Sequence, residues 1–187
     1  MEKIFSLVYN LFLNYKTYLV ISIIFLLIGR GKKYINITGI IKEYYKNFIL
    51  KNRSAIFVLI CFPFFLAISI SFKKTIDSDL LELITVAISI LMSLFFTYLS
   101  FFQDYEEKEL KNIENYNLII QQKNYVTETK IVASYEIFLS ITVLICCFSY
   151  PLFSNVIQKV YSGIIYFLFF HLLTNLLVLL KRYNNNL

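Results

Sequence analysis

Two side chains that can exchange protons, Glu136 and His171, stand at the edge of and within long apolar stretches of this chain. Asn175 follows His171 by four residues, so the two share one face of a helix. An ionisable group inside a membrane is a functional hypothesis by default, because its burial is costly. One interpretation is that His171 senses protons. The other, which we favour, is a neutral imidazole that hydrogen-bonds Asn175, a serine or a carbonyl of the bundle.

A set of seven polar side chains recurs at steps of three or four residues, which places them on about one third of a helix circumference. The set is Glu82, Thr85, Ser89, Ser93, Thr97, Ser100 and Asp104. In the interpretation that we favour, its small hydroxyl residues let two helices approach and hydrogen-bond. In the alternative, symmetric copies turn these faces toward an axis and form a cation-selective pore, with Glu82 near the outer mouth and Asp104 near the inner one.

Catalytic motifs are not supported by the sequence. Two stretches superficially resemble motifs of the CAAX-type intramembrane proteases, namely Glu106-Glu107-x-x-x-Lys111 and Phe167-x-x-x-His171-x-x-x-Asn175. Lysine replaces the arginine of that family, however, and His171 would have to serve two motifs. We therefore expect no catalytic, cofactor-binding or metal-binding residues and no cofactor.

The elements that must position these residues are four apolar runs, each close to the roughly 20 residues with which a helix crosses ~30 Å of hydrocarbon. The runs are residues 55–72, 83–102, 137–153 and 160–180. In hydrocarbon only helices and closed barrels satisfy their own backbone groups, and the runs do not alternate as barrel strands do. With 58% hydrophobic residues among 187, the chain is predicted to be all-α, a polytopic transmembrane helical bundle forming a single membrane domain, residues 1–187.

Residues 4–28 are long enough for a fifth span, although Asn10, Asn14 and Lys16 interrupt them. A helix at the membrane interface is the alternative. We favour the span, with the N-terminus outside.

Orientation is predicted from the basic residues between positions 29 and 53, because such residues mark cytoplasmic segments. They are Arg30, Lys32, Lys33, Lys42, Lys46, Lys51 and Arg53, against the single acid Glu43. This orientation makes residues 103–130 and the C-terminus cytoplasmic, and residues 73–79 and 151–159 external. The composition is typical of an AT-rich bacterial genome, so we expect a multi-pass protein of the bacterial inner membrane.

Residues 34–53 have the pattern of a basic amphipathic helix, with an apolar stripe on the side opposite Lys42 and Lys46. The stripe consists of Ile37, Ile40, Ile41, Tyr44, Tyr45, Phe48 and Ile49. The favoured interpretation is a helix that lies in the plane of the cytoplasmic leaflet. The alternative is a docking surface for a protein or a nucleic acid. We do not expect direct nucleic-acid binding, since proximity to the membrane explains the same residues.

Residues 103–130 are predicted to form a cytoplasmic helical hairpin arm, because neither glycine nor proline occurs from Phe64 to Tyr150. We expect its return turn near Lys123 and Asn124. An apolar stripe continues along the arm through Leu110, Ile113, Tyr116 and Ile120. The stripe either packs within the hairpin or binds a cytoplasmic protein or sister subunits, and the sequence favours neither.

Taken as a pattern of spans and arms, the chain resembles the small membrane components of bacterial antiphage defence systems, such as the KwaA component of Kiwa or the membrane effector of Hailong. The resemblance implies an oligomeric inner-membrane protein that senses infection with a partner or depolarises the membrane. We expect a non-enzymatic homo-oligomer that anchors or senses together with a cytoplasmic protein partner. An ion-conducting pore is the second hypothesis and a small transporter the third.

Overall fold

The structure is a computed structural model that describes residues 37–50, 53–108 and 116–184. Its α-helices are α1 (Ile37–Tyr44), α2 (Arg53–Ile56), α3 (Phe62–Lys73), α4 (Ser78–Lys108), α5 (Tyr116–Ser149) and α6 (Asn155–Asn184). Two π-helical segments, Tyr45–Ile49 and Phe57–Cys61, follow α1 and α2, and a 3-10 turn, Tyr150–Leu152, ends α5. None of the described residues lies in a strand. The predicted all-α class is confirmed.

Four helical stretches are long and apolar enough to cross a membrane. They are Ser54–Lys73, Ser78–Tyr105, Gln122–Leu152 and Val156–Lys181. Each overlaps one of the four predicted runs, so the chain is a polytopic membrane protein. The predicted fifth span, residues 4–28, lies outside the described residues. The contacts discussed below belong to the unit Ile40–Leu187.

Short connections arrange the spans as antiparallel neighbours. Residues 74–77 join α3 to α4, and residues 150–154 join α5 to α6, both at one end of the bundle, which we call the loop end. The opposite end, where α4 ends and α5 begins, we call the arm end. Helix α4 packs on α5, α3 packs on α6, and α5 packs on α6.

The start of α4 is fixed by its preceding loop. Asp77 Oδ1 accepts the backbone N–H of Leu80 at 2.9 Å, which is the bond of an N-cap residue. Its other oxygen, Oδ2, pairs with Lys74 Nζ at 3.0 Å. The N–H of Leu80, followed by Lys74, lowers the pKa of Asp77 from its ordinary value.

Two apolar clusters fill the bundle. The cluster toward the loop end contains Ala67, Ile76, Ile84, Ile88, Val143, Cys147, Tyr150, Ile165 and Tyr166. The other cluster contains Tyr44, Ile49, Phe95, Val132, Leu139, Leu172 and Leu179. Large apolar side chains also cover the outside, among them Phe57, Phe65, Phe72, Leu83, Phe148 and Val160. Such an outer surface is typical of a protein solvated by lipid.

The predicted return turn near Lys123 and Asn124 is wrong, because both residues lie inside α5. Helix α4 is described as far as Lys108 and helix α5 from Tyr116 onward. Asparagine weakens a helix interior by less than about 1 kcal/mol, which contacts between helices outweigh. Two such contacts hold this part of α5 to α4: the hydroxyl of Tyr105 lies 3.5 Å from Gln122 Oε1, and Phe102 meets Tyr125 edge to face.

Candidate functional site

A proline in the first span leaves one backbone carbonyl of that helix without its usual hydrogen-bond donor. Pro63 has no N–H and cannot donate to the carbonyl of Leu59, four residues earlier. The π-helical segment Phe57–Cys61 lies at this position. A neighbouring helix supplies a donor for that carbonyl, since Nδ1 of His171 on α6 lies 2.6 Å from the Leu59 oxygen. Proline is tolerated in membrane helices when neighbours satisfy the freed groups in this way.

This bond assigns the tautomer of His171. A carbonyl only accepts, so Nδ1 carries a proton; Nε2 faces the amide nitrogen of Asn175, which only donates, so Nε2 accepts and the imidazole is neutral. The hydroxyl of Tyr135 on α5 donates to Nε2 at 3.1 Å, and the amide nitrogen of Asn175 lies 3.4 Å from the same atom. His171 is therefore the hydrogen-bonded imidazole of the favoured interpretation.

Tyr44 extends the network to α1. Its hydroxyl donates to Asn175 Oδ1 at 2.6 Å, and its ring stacks on Tyr135 with the centroids 3.8 Å apart and the planes 5° from parallel. Burial raises the pKa of the Tyr44 hydroxyl, and Tyr135 and Glu136 raise it further. Tyr44 is thus a neutral donor.

The amphipathic segment consequently enters the bundle. Tyr44 and Ile49 are buried in the protein core, whereas Ile41 and Tyr45 of the same stripe are exposed. The in-plane interpretation, in which the apolar stripe rests in lipid, is wrong for the two buried residues. Lys42 and Lys46 lie on the exposed side, as predicted.

Glu136 completes what we call the buried polar cluster: Tyr44, Tyr135, Glu136, His171 and Asn175. Its side chain is 0% exposed. The amide of Asn175 approaches the carboxyl group closely enough to interact with it, but no contact between them has the distance and angle of a hydrogen bond, and within the described part of the chain neither carboxyl oxygen has a hydrogen-bond partner. The hydroxyl of Ser140, one helical turn further along α5, is also buried without a partner there.

The sequence placed Glu136 at the edge of an apolar run, and the structure places it inside the bundle. The packed face of α5 continues past it to Val132 and Ala133, both buried. Glu136 precedes Tyr150 at the loop end by fourteen residues, which is about 21 Å along the helix. That distance is within a hydrocarbon layer ~30 Å thick.

The seven-residue polar stripe lies on α4 and faces away from the bundle. Glu82, Ser89, Ser93, Thr97, Ser100 and Asp104 are exposed, and Thr85 is half-buried. Four hydroxyls donate to the carbonyl four residues earlier on their own helix: Thr85, Ser89, Ser93 and Thr97, at 2.8, 2.8, 3.1 and 3.0 Å. These hydroxyls are satisfied without a second helix. The stripe and the buried polar cluster are therefore separate features.

The predicted partner surface is described only in part. Leu110 and Ile113 lie outside the described residues; Tyr116 begins α5, and Ile120 is 41% exposed. Within the described ranges no group of three histidine, cysteine, aspartate or glutamate side chains comes together as metal ligands do.

Sequence reasoning missed Tyr44 and Tyr135 as members of the site. A proline inside an apolar run was the available signal, because it points to an unsatisfied carbonyl four residues earlier and so to a donor on another helix. The periodic stripe of α1 identified a buried side for Tyr44 without identifying what would bury it.

No family model, curated protein or solved structure matches this chain. The function must therefore be argued from the geometry. The buried polar cluster ties the amphipathic segment to α5 and α6 and contains one carboxyl group with unused hydrogen-bonding capacity.

Proposed function

We propose that this protein is a non-enzymatic, oligomeric membrane protein that senses a change in the membrane and transmits it to a cytoplasmic protein partner. The observation that carries the proposal is the insertion of Tyr44 into the bundle. Its hydrogen bond to Asn175 and its stack on Tyr135 join a basic, exposed segment to groups deep in the spans.

A change in the buried polar cluster can reach the exposed surface through Tyr44, because this residue lies between two lysines. Lys42 and Lys46 flank Tyr44 by two residues on either side, and both are exposed. Tyr44 ends α1 and the π-helical segment Tyr45–Ile49 continues it directly, so Lys42 and Lys46 lie on one continuous helical stretch. A change in the cluster that releases or turns Tyr44 would therefore move the two lysines, and a partner that contacts them would register the change.

The proposal takes the arm end as cytoplasmic, because the basic residues flank the first span at that end. A bacterial inner membrane and a phage infection as the trigger are part of the same proposal, motivated by the resemblance to antiphage membrane components.

Site-specific photo-crosslinking in cells tests the partner. A photoreactive residue at Lys46 or Ile120 should capture the same cytoplasmic protein, whereas one at Lys159, exposed at the loop end, should not. Tyr44→Phe should weaken capture at Lys46, because α1 loses its hydrogen bond to the bundle. If Lys46 and Ile120 capture only lipid, or the same proteins as Lys159, the proposal is wrong.

The second candidate is an ion-conducting pore, favoured by the outward polar face of α4. Ser89, Ser93 and Thr97 would line the axis between symmetric copies, with Glu82 at one mouth. Although the hydroxyls are satisfied within α4, their oxygens still have acceptor capacity toward an ion.

Paired leucine variants separate a pore from a packing interface. In a pore, Ser89→Leu with Ser93→Leu should block ion flux in liposomes while the oligomer persists, and Glu82→Gln should weaken cation preference. In a packing interface the same leucines should dissociate the oligomer. Val86→Leu with Ile90→Leu, at exposed positions on the same helix, is the matched control. A stable wild-type oligomer that does not conduct with its partner present excludes the pore.

A further inference from the structure

The turn of α5 that carries Glu136 and Ser140 contains three buried oxygen atoms without a partner among the described residues. Two are the carboxyl oxygens of Glu136 and the third is the hydroxyl oxygen of Ser140. Glu136 and Ser140 are four residues apart and so lie on one face of the helix. Both side chains are 0% exposed.

A carboxylate in this position needs a positive charge. An unpaired charge in a low-dielectric interior costs more free energy than neighbouring dipoles return, so buried charges are paired or neutralised. Among the described residues around Glu136, none supplies a fixed counter-charge. The groups nearby are Tyr135 on α5, Tyr44 on α1, and His171 and Asn175 on α6.

Each of these four groups is neutral. Asn175 does not ionise, and the two tyrosines act as hydroxyl donors to Asn175 and His171. The amide nitrogen of Asn175 can only donate and lies 3.4 Å from Nε2 of His171, so Nε2 accepts and the ring is neutral. Within the part of the chain that the structure describes, the positive charge is therefore left to a ligand. One carboxylate balances one positive charge, and carboxylate and hydroxyl oxygens are hard donors.

We propose that the turn containing Glu136 and Ser140 is a binding site for a small, hard, monovalent cation, either a proton or a sodium ion. A proton would convert the carboxylate to the neutral acid. A sodium ion would leave the carboxylate charged and take the three oxygens as ligands. The site goes beyond the proposed function, because it can exist whether or not a cytoplasmic partner does.

Labelling of the purified full-length protein with dicyclohexylcarbodiimide tests the site. This apolar reagent reacts with protonated carboxyl groups in apolar surroundings, and peptide mass spectrometry locates the adduct. We expect an adduct on Glu136 of the wild-type protein. Glu136→Gln should abolish it, and Glu82→Gln, which removes an exposed carboxyl group of α4, should leave it unchanged.

The two cations give different results. If the site binds sodium, NaCl should protect Glu136 and choline chloride at equal ionic strength should not. The expected protection is about tenfold when sodium exceeds its dissociation constant about tenfold. Ser140→Ala should weaken that protection, because it removes one ligand. If the site binds only protons, labelling should fall as pH rises between 5 and 9 and should be the same in both salts.

Two outcomes would overturn the proposal. Absence of labelling at every pH, without sodium, would mean that a fixed positive charge neutralises Glu136. Labelling that changes with neither pH nor sodium would mean a permanently protonated structural group. Because these measurements use the wild-type chain, they remain informative even if Glu136→Gln fails to fold.

Discussion

The bundle contains two clusters of buried polar residues, which differ in whether their polar atoms have hydrogen-bond partners. At the loop end, the hydroxyl of Tyr150 donates to the carbonyl of Ile76 at 2.8 Å. The N–H of Ile76 donates to Ser162 Oγ at 3.2 Å, and Ser162 in turn donates to the carbonyl of Gln158 at 2.8 Å. We call these residues the loop cluster. All of its groups are neutral and partnered. The buried polar cluster instead contains an ionisable carboxyl group without a partner among the described residues.

This difference in hydrogen bonding indicates which cluster has a structural role and which has a functional one. A neutral network in which every polar atom is hydrogen-bonded fixes the conformation of a loop and leaves no group that needs a ligand. An unpaired ionisable group costs stability, and such groups in membrane helices mark pathways, switches or binding sites. The loop cluster should therefore behave as a structural element and Glu136 as a group retained for function. Substitutions at four positions test this contrast.

The largest effect is expected for Glu136→Gln. At pH 8 without sodium, the neutral amide should raise the free energy of unfolding by about 3–5 kcal/mol, because the wild-type carboxyl group must there either be buried as an uncompensated charge or take up a proton well above the pH at which a free carboxyl group does so. Unfolding of the detergent-solubilised protein by a denaturing detergent measures the change. Glu82→Gln is the matched exposed control and should stay within about 0.5 kcal/mol of wild type. Destabilisation by Glu136→Gln would show that the carboxyl group is structural.

Tyr150→Phe should act in the opposite direction. It removes the donor to the Ile76 carbonyl and leaves a buried backbone oxygen unpaired, which should cost about 1–2 kcal/mol. The same unfolding assay measures it, with Tyr45→Phe, at an exposed ring, as the control. If both tyrosine variants unfold like wild type, the loop cluster does not stabilise the bundle.

Tyr44→Phe should have a smaller global effect, about 0.6 kcal/mol, because the stack on Tyr135 remains after the hydrogen bond to Asn175 is lost. Its effect should be local. Hydrogen exchange of α1 should accelerate, while exchange at the loop end stays unchanged. Uniform acceleration through the bundle would mean that α1 is part of the global core instead of a separately released element.

The sequence predicted the spans well because hydropathy depends on residues close together in the chain. Each run is long enough for one membrane crossing, and the lack of glycine or proline from Phe64 to Tyr150 predicted that the helices continue into the arm. The prediction of a turn near Lys123 and Asn124 was wrong because the conformation there depends on residues that are distant in the chain. A weak local preference was outweighed by contacts of Tyr105 and Phe102 on another helix.

The candidate site depended on information that the sequence lacks. Periodicity shows which residues share a face, but it does not show what that face meets. The stripe of α4 was therefore compatible with packing inside the chain and faces outward in the structure, while Tyr44 was assigned to lipid and lies against Tyr135. The burial of Glu136 depends on three elements that are distant in sequence, and a single sequence gives no sign of their contact.

The smallest effect is expected at the exposed carboxyl group of the loop end. Asp77 pairs with Lys74 in solvent, with the two side chains 49% and 61% exposed, so salt screens the interaction. Its folded pKa lies below the ordinary value of about 3.9. The stabilisation is thus present at neutral pH and is lost as pH falls through the folded pKa.

Asp77→Asn keeps an N-cap acceptor and removes only the charge, so it should lower the melting temperature slightly at pH 7 and not at pH 2. Asp77→Ala, which also removes the cap, should have the larger effect at pH 7. A larger loss for Asp77→Asn at pH 2 than at pH 7 would contradict the assignment. Neutralising a carboxyl group should therefore weaken the bundle where the charge is exposed and paired, and strengthen it at Glu136, where a charge would be buried without a partner among the described residues.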